Sequence, residues 1–141
     1  MDSRPILLVE DDSVDVIIMK RTLRELGVTR DVVCAADGAE ALAYLKDAAR
    51  ARPCVILLDL NMPGMDGFQF LRAVKADDTL RDIPVVVVST SGDAQDRNRS
   101  SELGAAGYVV KCLDYAVFRE RIHTTQPIFT SGPRPGESDV T

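Results

Sequence analysis

The chain has 141 residues, of which 45% are hydrophobic and 28% charged, so it can form one folded domain and is not a disordered protein. Its net charge of −5 argues against nucleic acid as a direct partner, and no apolar run reaches the roughly 20 residues of a membrane helix. The three cysteines, Cys34, Cys54 and Cys112, form neither a zinc pattern nor a disulfide framework, and no signal peptide is visible. A reduced, cytoplasmic setting is therefore expected.

Five short apolar runs predict five β-strands. In chain order they are residues 5–9, 32–35, 55–58, 85–88 and 108–110. The runs are rich in valine, leucine and isoleucine and almost free of polar residues. This composition is typical of strands buried on both faces of a parallel sheet.

Helical patterns lie between the strands. Helices are predicted over 13–26, 39–49, 67–76, 94–103 and 115–122, with Asp66 and Asp114 as caps and Gly27 as a stop. From Thr124 onward the pattern fails and the sequence becomes rich in proline, glycine and serine. We therefore expect one domain over 1–125 and a disordered tail over 126–141.

The alternation of strands and helices predicts an α/β fold. Right-handed crossovers favour a flavodoxin-like, doubly wound sheet of order 2-1-3-4-5 with helices on both faces. In such sheets ligands bind beyond the carboxyl ends of the strands, where the strand order reverses. Here that point lies between the first and third strands.

Acidic residues follow both of these strands. Glu10, Asp11 and Asp12 follow the first strand, and Asp59 follows the third. Crowded carboxylates repel one another unless a cation lies among them or some are protonated. Oxygen ligands of this kind suit Mg²⁺. A metal site is predicted from Glu10, Asp11 and Asp59, whereas Asp12 is explained equally well as a helix cap.

The fourth and fifth strands end in Ser89 and Lys111. The Ser89 hydroxyl could donate to a phosphoryl oxygen or belong to an ordinary turn. The Lys111 ammonium could pair with Asp59, pair with a phosphoryl group, or lie on the surface. His123, the single histidine, lies at the end of the last predicted helix, away from the predicted site, and no Ser-His-Asp or Cys-His set can be assembled around it.

Four motifs carry a resemblance to a known family. They are LLVEDD, LLDLNMPGMDG, IPVVVVSTS and GAAGYVVK. In this order and spacing the chain resembles the receiver domains of two-component response regulators, over about residues 4–123. The resemblance implies a phosphorylation-dependent signalling switch that catalyses only its own phosphorylation and dephosphorylation and is not otherwise an enzyme.

The resemblance also implies roles for individual residues. Asp59 matches the phosphoryl acceptor, which becomes a 4-aspartylphosphate. Glu10 and Asp11 match the acidic pair that holds Mg²⁺, and Asn61 matches the position whose backbone carbonyl completes the metal site.

Three further positions match the family pattern at the ends of the fourth and fifth strands. Ser89 matches the hydroxyl that follows the phosphoryl group, Lys111 the lysine that contacts it, and Tyr108 the aromatic switch residue.

The implied partners are proteins. A sensor histidine kinase would donate the phosphoryl group, and a downstream target, a phosphotransfer protein or a second copy of the chain would receive the signal. The long connection before the fourth strand, KADDTLRDIPVVVVSTS, resembles receivers that partner phytochrome-type kinases. An apolar patch at Phe118 and Ile122, beside Tyr108, is predicted as a contact surface.

Two alternatives remain open from the sequence. A phosphatase of the haloacid dehalogenase type needs a second aspartate two residues after the nucleophile, and Asn61 stands there. A degenerate receiver would act as a scaffold without phosphate.

One position departs from the family, since Cys112 stands where proline usually follows the lysine, and we expect a trans Lys111–Cys112 bond.

Overall fold

The computed structural model describes residues 4–62 and 64–131. Its centre is a sheet of five parallel strands in the order β2-β1-β3-β4-β5. The strands are β1 Ile6–Val9, β2 Val32–Ala35, β3 Val55–Leu58, β4 Val85–Ser89 and β5 Gly107–Val110. The predicted α/β fold and strand order are confirmed.

Burial differs between the centre of the sheet and its edges. Every residue of β1, β3 and β4 is buried, because helices cover both faces of the sheet there. The edge strands β2 and β5 are only partly buried, and Cys34 in β2 is exposed. The prediction of full burial is therefore wrong for the two edge strands, each of which has a neighbour on one side only.

Five helices complete the fold. They are α1 Ser13–Glu25, α2 Gly38–Lys46, α3 Gly67–Ala76, α4 Ala94–Glu102 and α5 Tyr115–Ser131. The first four each begin after an aspartate whose side chain accepts backbone N–H hydrogen bonds from the first turn, namely Asp12, Asp37, Asp66 and Asp93. Such a cap satisfies donors that have no partner inside the helix. Asp12, whose role the sequence left open, is thus a helix cap.

The last helix is longer than predicted. α5 continues through Pro127 to Ser131, so residues 126–131 of the predicted disordered tail are helical, and residues 132–141 lie outside the described part. Proline inside a helix costs about 3 kcal/mol. Phe129 is 1% exposed in the core, and full burial of such a side chain contributes about 1.5–3 kcal/mol. Core packing therefore offsets the proline.

Alternate residues of each central strand enter two separate cores. On one face, Leu7, Ile56 and Val87 pack with α2 and α3. On the other face, Leu8, Leu57 and Val88 pack with α1 and α5. The sheet is thus covered on both sides, and its carboxyl-end edge is the place where β1, β3, β4 and β5 present their last residues together.

The predicted apolar contact patch on α5 does not exist. Phe118 is 6% exposed and Ile122 is 0% exposed, and both pack in the core formed with α1. Their spacing of four residues therefore marks the inward face of α5. Among residues 4–62 and 64–131, no helix has both the length and the apolar character needed to cross a bilayer.

Gly67 brings the start of α3 against the chain that follows β3. Its N–H donates to the Leu60 carbonyl at 3.0 Å. A Cβ atom at position 67 would lie 2.5 Å from Leu60 Cα and 2.9 Å from the Asp59 carbonyl oxygen. These are backbone atoms, so a side chain at this position would displace the main chain.

We expect Gly67→Ala to lower the free energy of unfolding by about 1–3 kcal/mol, the usual cost of overpacking. The matched control is Gly92→Ala, whose Cβ would come no nearer than 3.9 Å to Val110. Urea unfolding followed by circular dichroism measures both variants. Equal stability of the two would contradict the tight approach at Gly67.

Glu25 joins the end of α1 to α5. Its carboxylate accepts hydrogen bonds from Arg21 Nε, the Tyr115 hydroxyl and Arg119 Nη1, each at 2.9 Å. The hydrogen bonds from Arg21, Arg119 and Tyr115, in that order of effect, lower the pKa of Glu25 from 4.5 to about 2. The charged form of Glu25 therefore stabilises the contact between the two helices.

A carboxyl group whose pKa is lowered by folding stabilises the native state above its unfolded pKa and loses that effect as the pH falls through its folded pKa. For Glu25 this window runs from 4.5 down to about 2. As the pH is lowered across this range, the free energy of unfolding of Glu25→Gln should therefore fall less than that of the native chain. Urea unfolding at a series of pH values measures both. Glu102→Gln, at an exposed glutamate on α4, is the control and should follow the native curve. A Glu25→Gln curve parallel to the native one would count against the helix contact.

Candidate functional site

The carboxyl ends of four strands bring the predicted side chains together. Glu10 and Asp11 follow β1, Asp59 follows β3, Ser89 ends β4 and Lys111 follows β5. Backbone hydrogen bonds extend the sheet into this region, from Asp59 N–H to the Val9 carbonyl at 3.0 Å and from Lys111 N–H to the Ser89 carbonyl at 2.7 Å. The side chains are thus held by the sheet itself.

Three carboxylates form an acidic cluster, defined by Glu10, Asp11 and Asp59. One oxygen from each lies within 4.8 Å of the others. Glu10 and Asp59 are buried and Asp11 is exposed. Burial raises the pKa of Glu10 to about 7, the Lys111 hydrogen bond opposes this, and Asp59 adds to it. Crowded carboxylate oxygens of this kind fit a hard divalent cation.

Lys111 lies nearer to two other carboxylates than to Asp59. Its Nζ donates to Glu10 Oε1 at 2.7 Å and to Asp15 Oδ2 at 2.9 Å, whereas Asp59 Oδ2 is 3.8 Å away. Burial alone would lower the pKa of Lys111, but the hydrogen bonds to Glu10 and Asp15 outweigh burial and the pKa is raised. The ammonium is therefore charged and held next to the acidic cluster.

Asp59 also contacts the loop that follows it. Its Oδ1 accepts a hydrogen bond from the Asn61 N–H at 3.2 Å, and Asn61 itself is exposed. Oδ2 is the oxygen 3.8 Å from Lys111. One carboxylate oxygen is thus oriented by the backbone, and the other lies beyond hydrogen-bonding distance of the ammonium.

Ser89 and Tyr108 contact the same loop, between β4 and α4. The fully buried Ser89 accepts the Ser91 N–H at 3.1 Å, and the Tyr108 hydroxyl donates to the Ser91 carbonyl at 2.8 Å. The Arg97 guanidinium lies 4.9 Å from the centre of the Tyr108 ring. Ser89 and Tyr108 are thus both hydrogen-bonded to the backbone of Ser91.

The structure agrees with the predictions made for Cys112 and His123. Residues 4–62 and 64–131 contain no cis peptide bond, so the Lys111–Cys112 bond is trans as predicted. Cys112 is exposed, and its Sγ donates to the Asp114 carbonyl at 3.3 Å. His123 is on α5, 3.7 Å from Glu120 and outside the acidic cluster.

Sequence reasoning missed Asp15. It lies in the first turn of α1, where an acidic residue is ordinarily explained by the positive end of the helix dipole. Its carboxylate accepts a hydrogen bond from Lys111, which lies 96 positions later in the chain. No pattern within α1 distinguishes an aspartate that contacts a distant lysine from one that only complements the helix.

The part of the chain that contains the site matches a known protein family. The family model described as response regulator receiver domain matches residues 6–123. The probable methanogenesis regulatory protein FilR2 of Methanothrix harundinacea strain 6Ac is 36% identical over 113 residues, which cover 78% of this chain and 73% of FilR2. Several curated relatives, among them PleD of Caulobacter vibrioides and PrrA of Mycobacterium tuberculosis, are longer proteins, and this chain spans 26% to 44% of their length.

Solved structures resemble the whole described fold. The phosphorylated cyanobacterial phytochrome response regulator RcpA superposes with a TM-score of 0.84 at 35% identity, covering 96% of this chain and 100% of RcpA. The Mn²⁺-bound form of response regulator Rcp1 gives 0.82 at 30% identity, covering 93% and 97%. Rcp1 is a protein of Synechocystis.

Proposed function

Since the chain belongs to the response regulator receiver domain family, a family of phosphorylation-dependent signalling switches, we propose that Asp59 is its phosphoryl acceptor. One observation carries this proposal. Asp59 is 7% exposed at the end of β3, with carboxylate oxygens of Glu10 and Asp11 within 4.8 Å and the Lys111 ammonium 3.8 Å away. An acidic nucleophile flanked by cation ligands and a fixed ammonium is suited to phosphoryl transfer.

In the proposed reaction a carboxylate oxygen of Asp59 attacks the phosphorus of a phosphohistidine on a sensor kinase. The P–N bond breaks as the P–O bond of the aspartyl phosphate forms, and the electron pair stays with the imidazole nitrogen, which takes a proton. Asp59 Oδ2 is the better nucleophile, because Oδ1 accepts the Asn61 N–H. Lys111 and Ser89 then bind the oxygens of the added group through charge-assisted hydrogen bonds.

The cation in this proposal is Mg²⁺. Glu10, Asp11 and Asp59 would hold it, together with the backbone carbonyl of Asn61. When bound, Mg²⁺ supplies positive charge that offsets the repulsion between the anionic acceptor and the anionic phosphoryl donor. The oxygen-only donor set of the acidic cluster supports this choice of metal.

The switch in this proposal runs from Ser89 to Tyr108. Ser89 moves toward the phosphoryl group, and the loop beyond it moves because its Ser91 N–H is bonded to Ser89 Oγ. The Tyr108 hydroxyl follows the Ser91 carbonyl. Phosphorylation is thereby converted into a change of the surface formed by α4, β5 and α5, which a downstream protein can recognise.

The proposed phosphoryl donor is a histidine kinase of the phytochrome type in the cytoplasm. The likeness to RcpA supports this choice of donor, and the free thiols of Cys34 and Cys112 support a reduced compartment. We assign three exposed apolar side chains to a kinase-facing patch, namely Val14 at 60%, Ile17 at 65% and Leu113 at 106% exposure. Val14 adjoins Asp15 in the chain, and Leu113 lines the same cavity as Lys111 and Asp59, which supports placing the patch beside the site.

Ile17→Glu should slow phosphorylation by a phytochrome-type kinase that acts on the native chain by about tenfold, the effect of losing one important interface side chain. Phosphorylation by acetyl phosphate should not change, because that donor needs no protein contact. Val117→Glu, at a side chain 40% exposed on α5, is the matched control. A kinase rate equal to that of the native chain would exclude Ile17 from the interface.

The function itself is tested with acetyl phosphate. We expect the native chain to gain one phosphoryl group by intact mass spectrometry with Mg²⁺, and none with a chelator. An unlabelled chain would favour the scaffold alternative. Continuous turnover of small phosphate esters would favour the phosphatase alternative.

A further inference from the structure

Asp15 contacts the site but has no role in the phosphoryl transfer proposed above. We propose that Asp15 is a positioning residue, which holds the Lys111 ammonium on the α1 side of the site and so keeps Asp59 open to the cation. This inference rests on the proposed function, which gives Asp59 and Lys111 their roles. It adds a residue to the site that neither the sequence motifs nor the acidic cluster includes.

The distances from the Lys111 ammonium to three carboxylates show which of them it binds. Its Nζ lies 2.9 Å from Asp15 and 2.7 Å from Glu10, but 3.8 Å from Asp59. An ammonium has three N–H donors, and two of them are directed to carboxylates other than the phosphoryl acceptor. These two hydrogen bonds hold the ammonium at a distance at which it makes no hydrogen bond to Asp59.

The start of α1 fixes Asp15 in place. The Asp12 side chain caps the helix by accepting the N–H groups of Val14 at 2.8 Å and Asp15 at 3.2 Å. The backbone of Asp15 is therefore anchored, and its carboxylate reaches Lys111 from a rigid element. A carboxylate on a rigid helix can fix the position of the lysine that it binds, whereas a carboxylate on a mobile loop would move with the lysine.

Lys111 has room to move when Asp15 is removed. A cavity of about 100 Å³ adjoins its side chain, and its lining includes the apolar Leu57 and Phe118 as well as Glu10 and Asp59. The four-carbon stem of lysine is flexible. A shift of about 1 Å would convert the 3.8 Å separation from Asp59 into a hydrogen bond.

The ordinary explanation of Asp15 is a charge that complements the helix dipole. Under that explanation any acidic residue at the start of α1 would affect the site through charge alone. Asp12 offers the comparison, because asparagine caps a helix as well as aspartate does. Asp12→Asn therefore removes one charge from the same turn, keeps the cap and leaves the Asp15–Lys111 contact in place.

The test is a Mg²⁺ titration of the unphosphorylated full chain, followed by amide NMR. Asp15→Asn should raise the Kd for Mg²⁺ by about tenfold, the lower end of the range for residues that orient a metal ligand. Asp12→Asn should raise it less than about twofold, as expected of a solvent-screened charge. Asp15→Glu, which keeps the carboxylate, should restore binding to near the native value.

A double-mutant cycle with Lys111→Met shows whether Asp15 acts through the lysine. In that background Asp15→Asn should weaken Mg²⁺ binding no more than Asp12→Asn does. Equal effects of Asp15→Asn and Asp12→Asn in the native background would overturn the proposal, as would a tenfold loss that persists without Lys111. A native chain that binds Mg²⁺ but takes no phosphoryl group from acetyl phosphate would overturn the proposed function alone, since none of these titrations requires phosphorylation.

Discussion

Asp59→Asn should abolish covalent phosphorylation by acetyl phosphate while the chain remains folded. The amide has no anionic oxygen, so it cannot form the acyl phosphate bond at a useful rate. The substitution keeps the size of the side chain and an oxygen that can accept the Asn61 N–H, a bond of 3.2 Å in the native chain. Intact mass spectrometry measures the loss, and circular dichroism confirms folding.

The matched control is Asp66→Asn in the following loop. Asp66 caps α3 through Gln69, and asparagine preserves such a cap, so this variant should be labelled as fully as the native chain. Full labelling of Asp59→Asn would move the acceptor to another residue. Loss of labelling in both variants would indicate a general effect of removing acidic charge from this edge of the sheet.

Asp11→Asn should weaken Mg²⁺ binding by at least about tenfold. Asp11 is the exposed member of the acidic cluster, and it brings one carboxylate oxygen within 4.8 Å of those of Glu10 and Asp59. A site with few protein ligands depends strongly on each carboxylate. The chain contains no tryptophan, so amide NMR is the suitable measurement.

Asp12→Asn is the control for this prediction too. The two aspartates are adjacent and both exposed, but the Asp12 side chain accepts N–H bonds from α1 and lies outside the acidic cluster. A large difference between the two variants would identify Asp11 as a ligand. Equal affinities would exclude it and leave Glu10 and Asp59 as the carboxylate ligands.

Much of the fold could be predicted because the sheet is encoded locally. The runs around Val9, Leu58 and Val88 are short, apolar and rich in β-branched residues or leucine, and strands of this kind are buried in a parallel sheet. The site followed from the fold, since residues after such strands meet at one edge. Glu10, Asp59 and Lys111 could thus be placed together before any side-chain contact was known.

The errors have a common physical origin in tertiary packing. Pro127 marks a helix end by local propensity, but the burial of Phe129 against the core continues α5 beyond it. The spacing of Phe118 and Ile122 fits either an exposed patch or a core face, and only the position of α5 against the sheet decides between them. The Asp15–Lys111 contact joins two elements that the sequence separates by 96 positions.

The extended α5 has a practical consequence for attaching the protein to a surface or a reporter. The helix starts at Tyr115, just after β5, and its Ile128 side chain lies 3.4 Å from where a Cβ of Gly107 would be, at the amino end of the same strand. Its 17 residues span about 25 Å. An anchor joined after Ser131 would therefore leave the domain at the edge opposite Asp59. Immobilisation there keeps the acidic cluster facing solution, so binding of a kinase can be followed on a sensor surface without the support blocking the site.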